Sequence, residues 1–195
     1  MNIAITRAAE GIPRRAFTVD DISRMIEVGV LGPDENFELI EGDLVMMAAK
    51  HVGHDKIKNI LNRVLNRAAT DEWFVANEPS LQLAKDILVE PDIALIRQSV
   101  YNANPRSFAR PKPKDVRLVI EIAASSLSYD SGVKSRLYAR HRIPEFWVIG
   151  VEEWKTWIHT EPRGDIWSSV VERGPADALT TPALPGFSIR LGDFS

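Results

Sequence analysis

Residues 116–150 read VRLVIEIAASSLSYDSGVKSRLYARHRIPEFWVIG, and the fold turns on them. Val116 to Ala123 is a nearly unbroken aliphatic run, the pattern of a strand buried on both faces. Residues 128–142 take helical spacing, Pro144 ends that helix, and EFWVIG (145–150) is the next strand. One residue in the first run is out of character. Glu121 shares a strand face with Val119 and Ala123, while Leu118, Ile120 and Ile122 take the other. A buried carboxylate must be paired, hydrogen-bonded, metal-bound or neutral, because its isolated charge is costly away from water.

Upstream, VEPDIALI (89–96) is a second short apolar strand that carries an acid, Asp92, at its start. Before it, WFVANEPSLQLA (73–84) predicts its strand partner, with Lys85-Asp86 as the turn between them. From about His54 a helix runs through Ile57, Ile60, Leu61, Val64, Leu65 and Ala68, an i, i+3, i+4, i+7 stripe. The order from residue 54 is therefore helix, three strands, helix, strand: a mixed sheet with helices packed on it. Ahead of this lie an arm over residues 1–15 and a helix in FTVDDISRMIEVGVLG (17–32) with Thr18 as N-cap and Gly29 and Gly32 at its end. A hairpin follows in NFELIEGDLVMM (36–47), turning at Glu41-Gly42-Asp43. Beyond residue 150, KTWIHT and IWSSVVE add two strands, and TPALPGF returns along the chain. Residues 98–115, rich in Pro, Asn, Arg and Lys, read as a long loop of the kind that carries function. The chain beyond the arm, residues 16–195, is expected to form a single domain.

Composition narrows the chemistry. The chain has 195 residues, 45% hydrophobic and 26% charged, with no cysteine, so disulfides, thiolate metal sites and cysteine nucleophiles are excluded. No stretch approaches the roughly 18 apolar residues of a membrane span, and the N-terminus lacks a signal-peptide core. A cytoplasmic protein with no membrane partner is expected. The net charge of −3 counts against binding nucleic acid through charge alone. It is unevenly spread: residues 97–117 hold six basic residues and one acid, Asp115. Arg110, Lys112 and Lys114 within that stretch are candidate phosphate contacts, against the alternative of a solvated loop.

Taken singly, Asp92 reads as a turn residue after Pro91, Glu121 as half of an internal salt bridge, and Lys134 as a helix residue with a snorkelling head. Taken together they form a site. Two acids on neighbouring strands need a cation between them or a shared proton, and oxygen donors of this kind suit Mg²⁺ or Mn²⁺. Lys134 lies on the helical stripe with Leu137, Tyr138 and His141 and reaches toward the same place; Asp130, one turn earlier, pairs with it or caps the helix. A metal polarises a phosphoryl oxygen and lowers the pKa of bound water, and a lysine stabilises developing charge. This is chemistry for phosphodiester hydrolysis.

The stretches FELIEGDLVMM, His54 at its helix start, VEPDIALI, residues 117–150 and TWIHT resemble the Uma-two family of endonucleases, within the PD-(D/E)XK restriction-endonuclease-like superfamily. The resemblance covers roughly residues 14 to 190. It rests on the composite of E-L-I-E-G, P-D, E-I-x-x-S, D-x-x-x-K and I-P-E-F-W, since proline-aspartate alone is weak. It implies an αβββαβ core with an N-terminal helix and hairpin and a C-terminal β extension. It implies Asp92 and Glu121 as metal ligands and carries over Glu38 and His54 as site residues; the Ala123 carbonyl is a candidate third ligand. Read from the sequence alone, Glu38 is a hairpin surface carboxylate and His54 a helix cap. The superfamily lysine two residues after the second acid is absent, since Ala123 stands there; the family pattern has it on the next helix, where Lys134 stands. Ala123-Ala124-Ser125-Ser126 replaces the usual Leu-Ser-Pro-Ser, which predicts a change in loop rigidity and leaves Ser125 as a substrate contact. The implied activity is a Mg²⁺- or Mn²⁺-dependent nuclease acting on nucleic acid, DNA first. The alternative is a binding or assembly module that kept the fold and lost its chemistry. A homodimer is a further expectation, with Trp154, Trp157 and Trp167 at an interface or in the core.

Overall fold

The computed structural model describes residues 5–7, 13–32, 35–47, 51–102 and 110–194. The chain divides into two compact units, one of residues 1–49 and 80–90 and the other of residues 50–79 and 91–195.

In the first unit, strands β1 (Ile5–Arg7) and β2 (Pro13–Arg15) pair antiparallel within the segment read as an arm. Helix α1 (Val19–Glu27) starts at a capping box: the Thr18 hydroxyl accepts from the Asp21 N–H and the Asp21 carboxylate accepts from the Thr18 N–H. Together they satisfy two of the free donors at the helix start. Strands β3 (Phe37–Ile40) and β4 (Asp43–Met46) form the predicted hairpin. Glu41 and Gly42 both take positive φ, 50° and 89°, as a two-residue turn that matches strand twist requires. A four-stranded sheet, ordered β4-β3-β7-β6, is completed by β6 (Leu81–Ala84) and β7 (Ile87–Val89), which turn at Lys85-Asp86. Val19, Ile22, Leu31 and Leu39 make its small core.

The second unit is built on a six-stranded sheet. Helix α2 (Val52–Ala68) leads into β5 (Trp73–Asn77), β8 (Ile93–Arg97) and β9 (Val116–Ala123). A helical run follows as α4 (Leu127–Tyr129), a π turn (Asp130–Lys134) and α5 (Ser135–Arg140), and then β10 (Glu145–Gly150), β11 (Thr156–Arg163) and β12 (Ile166–Arg173). The sheet order is β12-β11-β10-β9-β8-β5, with β9 parallel to β10 and antiparallel to β8. Leu118, Ile120 and Ile122 of β9 join Ile57, Ile60, Leu61 and Leu65 of α2 in the main core, which Leu184 and Phe187 of the return segment close. Two predictions change. Residues 73–84 and 87–96 are not one strand pair but four strands in two sheets, because the chain leaves the large sheet after β5 and returns at Pro91. The stretch 98–115 is not all loop: it holds α3 (Gln98–Asn102) and a 3₁₀ turn at Pro113–Asp115, and residues 103–109 fall outside the described part. No described helix is long and apolar enough to cross a membrane.

Candidate active site

Glu121 is buried on β9, on the face opposite the main core. Its Oε1 accepts from Lys134 Nζ at 3.1 Å and from the Tyr138 hydroxyl at 2.6 Å. Glu121 and Lys134 side chains are each 4% exposed. Lys134 is thus not snorkelling: its ammonium lies 3.1 Å from Glu121 and 3.7 Å from Asp130 Oδ1, and Ser126 Oγ donates to Asp130 Oδ2 at 2.6 Å. Asp130 is Lys134's second acid, one turn back.

Asp92 lies one residue before β8. Its Oδ2 accepts the Ile122 N–H at 2.8 Å, so it takes over a ladder bond where the strand has ended and meets the backbone next to Glu121. Ile93 pairs with Ile120 in register, so Asp92 lies just past the paired stretch, beside the Glu121–Ile122 backbone. The Asp92 side chain is 10% exposed, and it receives His54 Nε2–H at 2.6 Å. His54 does not cap α2. His51 does, its Nδ1 accepting the Gly53 N–H, and His54 is buried in the first turn. Burial alone would lower the His54 pKa; the hydrogen bond and charge of Asp92, helped by Asp55, outweigh it and hold the imidazolium above its ordinary range. Each acid is therefore held by a buried nitrogen donor, Glu121 by Lys134 and Asp92 by His54. His54 comes from α2, which packs against the main-core face, and Lys134 stands at the junction with α5, over the face that bears Glu121.

A second layer extends from His54. Lys58, one turn further on α2, donates to Glu78 Oε1 at 2.7 Å, and the Glu78 N–H donates to the Asp92 carbonyl at 3.1 Å. Glu78 adopts a left-handed φ of 49°, a strained choice for a non-glycine residue that recurs at functional sites. Burial opposes the charge on Lys58, but the Glu78 hydrogen bond and charge raise its pKa overall. Sequence reading singled out none of Lys58, Glu78, Ser126 and Tyr138. Lys58 and Tyr138 carried a signal: each stands four residues after a candidate, His54 and Lys134, on the same helix face.

The other predicted residues are not all gathered here. Glu38 belongs to the first unit; it is buried, not on the surface, and its Oε1 accepts the Glu90 N–H at 2.9 Å. The Ala123 carbonyl accepts the Val151 N–H at 2.9 Å, which commits one of its two lone pairs. Ser125 lies exposed in the bend after β9. Arg110, half-buried, and exposed Lys112 and Lys114 precede the start of β9, whereas Glu121 is near its end, about 17 Å further along at ~3.3 Å per residue. Trp167 faces inward, stacking on Phe146 and donating Nε1–H to Ser135, and Trp157 donates to Glu172.

No group of three or more His, Asp or Glu able to hold a metal ion exists among the described residues. The donor chemistry nonetheless fits Mg²⁺, which keeps several waters and binds through one or two carboxylates plus substrate phosphates, without an all-protein cage.

Comparison with known proteins bears on the fold and the family. No curated protein matches the chain. Among solved structures it is similar to a "putative nuclease belonging to DUF820" from Anabaena variabilis ATCC 29413. That likeness has 17% identity and a TM-score of 0.69 and covers 91% of this chain and 97% of that one. It shows the fold, a mixed α/β arrangement of the restriction-endonuclease-like kind. The family model described as "Putative restriction endonuclease" matches residues 19–192, nearly the whole length, and the chain therefore belongs to the Uma2 family.

Proposed function

We propose that this chain is a divalent-metal-dependent nuclease that hydrolyses phosphodiester bonds, with DNA as its first candidate substrate. The observation that carries the reading is the hydrogen bond of Asp92 to the Ile122 N–H, next to Glu121, with both acids buried and each held by a donor from a different helix, His54 and Lys134. In this reading Asp92 and Glu121 hold Mg²⁺ or Mn²⁺. The bound ion supplies Lewis-acid polarisation and an acidified water. The residues do the rest. Lys134 holds a positive charge beside Glu121 and is available to an oxyanion that forms there. His54 holds a proton against Asp92 Oδ1. Ser125, exposed past the end of β9, and the basic residues Arg110, Lys112 and Lys114 contact backbone phosphates at two separated points.

One observation favours a second reading, a nucleic-acid-binding module without chemistry. Both acids already have internal donors, Lys134 on Glu121 and His54 on Asp92, and a sealed pair needs no metal. Calorimetric titration of Mn²⁺ into the wild type and Asp92→Ala, with folding checked by circular dichroism, separates the two. Binding by the wild type and not by the folded variant supports the nuclease, and cleavage of single- and double-stranded DNA and RNA is then assayed. Absence of binding in both, with and without an oligonucleotide, supports the module.

A further inference from the structure

We propose that Tyr138 is a positioning residue whose hydroxyl orients the Glu121 carboxylate for metal; this rests on the metal-dependent reading above. The Tyr138 ring alone is explained by packing. It is fully buried, with its centroid 4.8 Å from that of Phe146, and a phenylalanine would serve that purpose. The hydroxyl is the part that needs a reason, because a buried O–H without a partner is costly. It is spent on Glu121 Oε1, at 2.6 Å, the same oxygen that Lys134 Nζ approaches at 3.1 Å. Two donors on one oxygen fix the carboxylate's rotation.

The two donors differ in stiffness. Lysine places its ammonium on a flexible four-carbon stem, whereas tyrosine has two side-chain torsions, and here the core clamps its ring. The hydroxyl is therefore the fixed reference and the ammonium the mobile charge. Their spacing of four residues puts both on one helix face. The turn that delivers Lys134 is the π segment Asp130–Lys134, a local widening that recurs at functional sites. Once Lys134 turns toward a substrate anion, Tyr138 still holds Glu121 in place.

The test is Mn²⁺ calorimetry on the wild type, Tyr138→Phe, Glu121→Gln and Phe146→Leu, with melting curves in chelator. Wild type is expected to bind, Glu121→Gln to lose binding, and Tyr138→Phe to bind about tenfold more weakly or worse, the usual effect of removing a group that orients a metal ligand. Phe146→Leu disturbs the same packing without touching the hydroxyl, so its affinity should match the wild type even where its melting point falls. If Tyr138→Phe keeps wild-type affinity while Glu121→Gln loses it, Tyr138 is only a core residue and the nuclease reading stands. If the wild type binds no Mn²⁺, with or without a DNA oligonucleotide, that reading falls and this inference falls with it. Should Tyr138→Phe fail to fold, the wild type labelled with ¹³C at the tyrosine ζ carbon decides. The chain has three tyrosines, and Tyr101→Phe and Tyr129→Phe assign the Tyr138 resonance by elimination. Mg²⁺ is expected to shift it along the binding isotherm, and an unmoved resonance at saturation overturns the proposal.

Discussion

Glu121 and Lys134 are each sealed from water, so their pairing dominates the energetics at the residue scale. Breaking a buried pair by removing one partner leaves an uncompensated charge. Lys134→Met is therefore expected to lower unfolding free energy in chelator by about 3 kcal/mol, the low end for such a loss because Tyr138 still donates to Glu121. Glu121→Gln added to it should restore much of that, since an uncharged pair has little to compensate. Urea unfolding of the two single variants and the double closes the cycle, and additive losses would show that the pair is not coupled. The acids themselves were legible in the sequence because each interrupts an aliphatic run. Their partners were less so. His54 and Asp92 meet across 38 residues of chain, and no local pattern reports such a contact. Glu38 misled for the same reason: alternation along its strand marks a polar face, but the Glu90 N–H that accommodates it in the interior comes from a distant hairpin.

Element ends show the same division between local and distant causes. The helix start at Thr18 was readable, because the cap and Asp21 sit three residues apart; Thr18→Ala should cost about 1 kcal/mol in thermal or urea unfolding. The end of α5 was read from Pro144, but the chain turns earlier. His141 caps the helix, Arg142 takes a left-handed φ of 58°, and the Arg142 and Ile143 N–H groups donate to the Ala139 and Tyr138 carbonyls. This is a Schellman ending, whose left-handed position usually holds glycine. Arg142→Gly is thus expected to stabilise the protein by about 1 kcal/mol, relief of the left-handed penalty exceeding glycine's extra chain entropy. An unchanged or lowered unfolding midpoint would show that the arginine side chain contributes more than its backbone costs. Beyond the first 15 residues, where β1 and β2 went unread, strand existence was likewise well marked by alternation and by aliphatic runs. Sheet membership was not. Residues 73–84 alternate convincingly, yet β5 and β6 pair with different partners, since periodicity specifies which face a side chain takes and says nothing of which strand lies alongside.

Two buried titratable groups give the whole molecule opposing responses to pH. Glu145 on β10 accepts from Trp147 Nε1–H and from the hydroxyl of Thr181 in the return segment, at 2.7 and 2.6 Å. Burial raises its pKa above the ordinary 4.5, and those two hydrogen bonds only partly oppose the rise. The folded state therefore holds the Glu145 proton more tightly than the unfolded chain, and the group costs stability as pH climbs from about 4.5 through its folded value. His159 on β11 is the reverse. Burial lowers its pKa below 6.5, although the Phe146 and Trp157 carbonyls it faces pull the other way. The unfolded chain binds the His159 proton first, so stability falls as pH drops below about 6.5. The variants separate the two. Glu145→Gln keeps an acceptor for Trp147 and removes the ionisation. It should stabilise at pH 7, where the folded wild type carries the cost of a buried charge, and change little at pH 4. His159→Gln keeps a donor for the carbonyls and should flatten the decline below about pH 6.5. Urea midpoints of the wild type and both variants across pH 4–8, in chelator so that metal does not contribute, decide it. A Glu145→Gln gain that is the same at pH 4 and pH 7 would mean that packing, and not the buried charge, sets the effect.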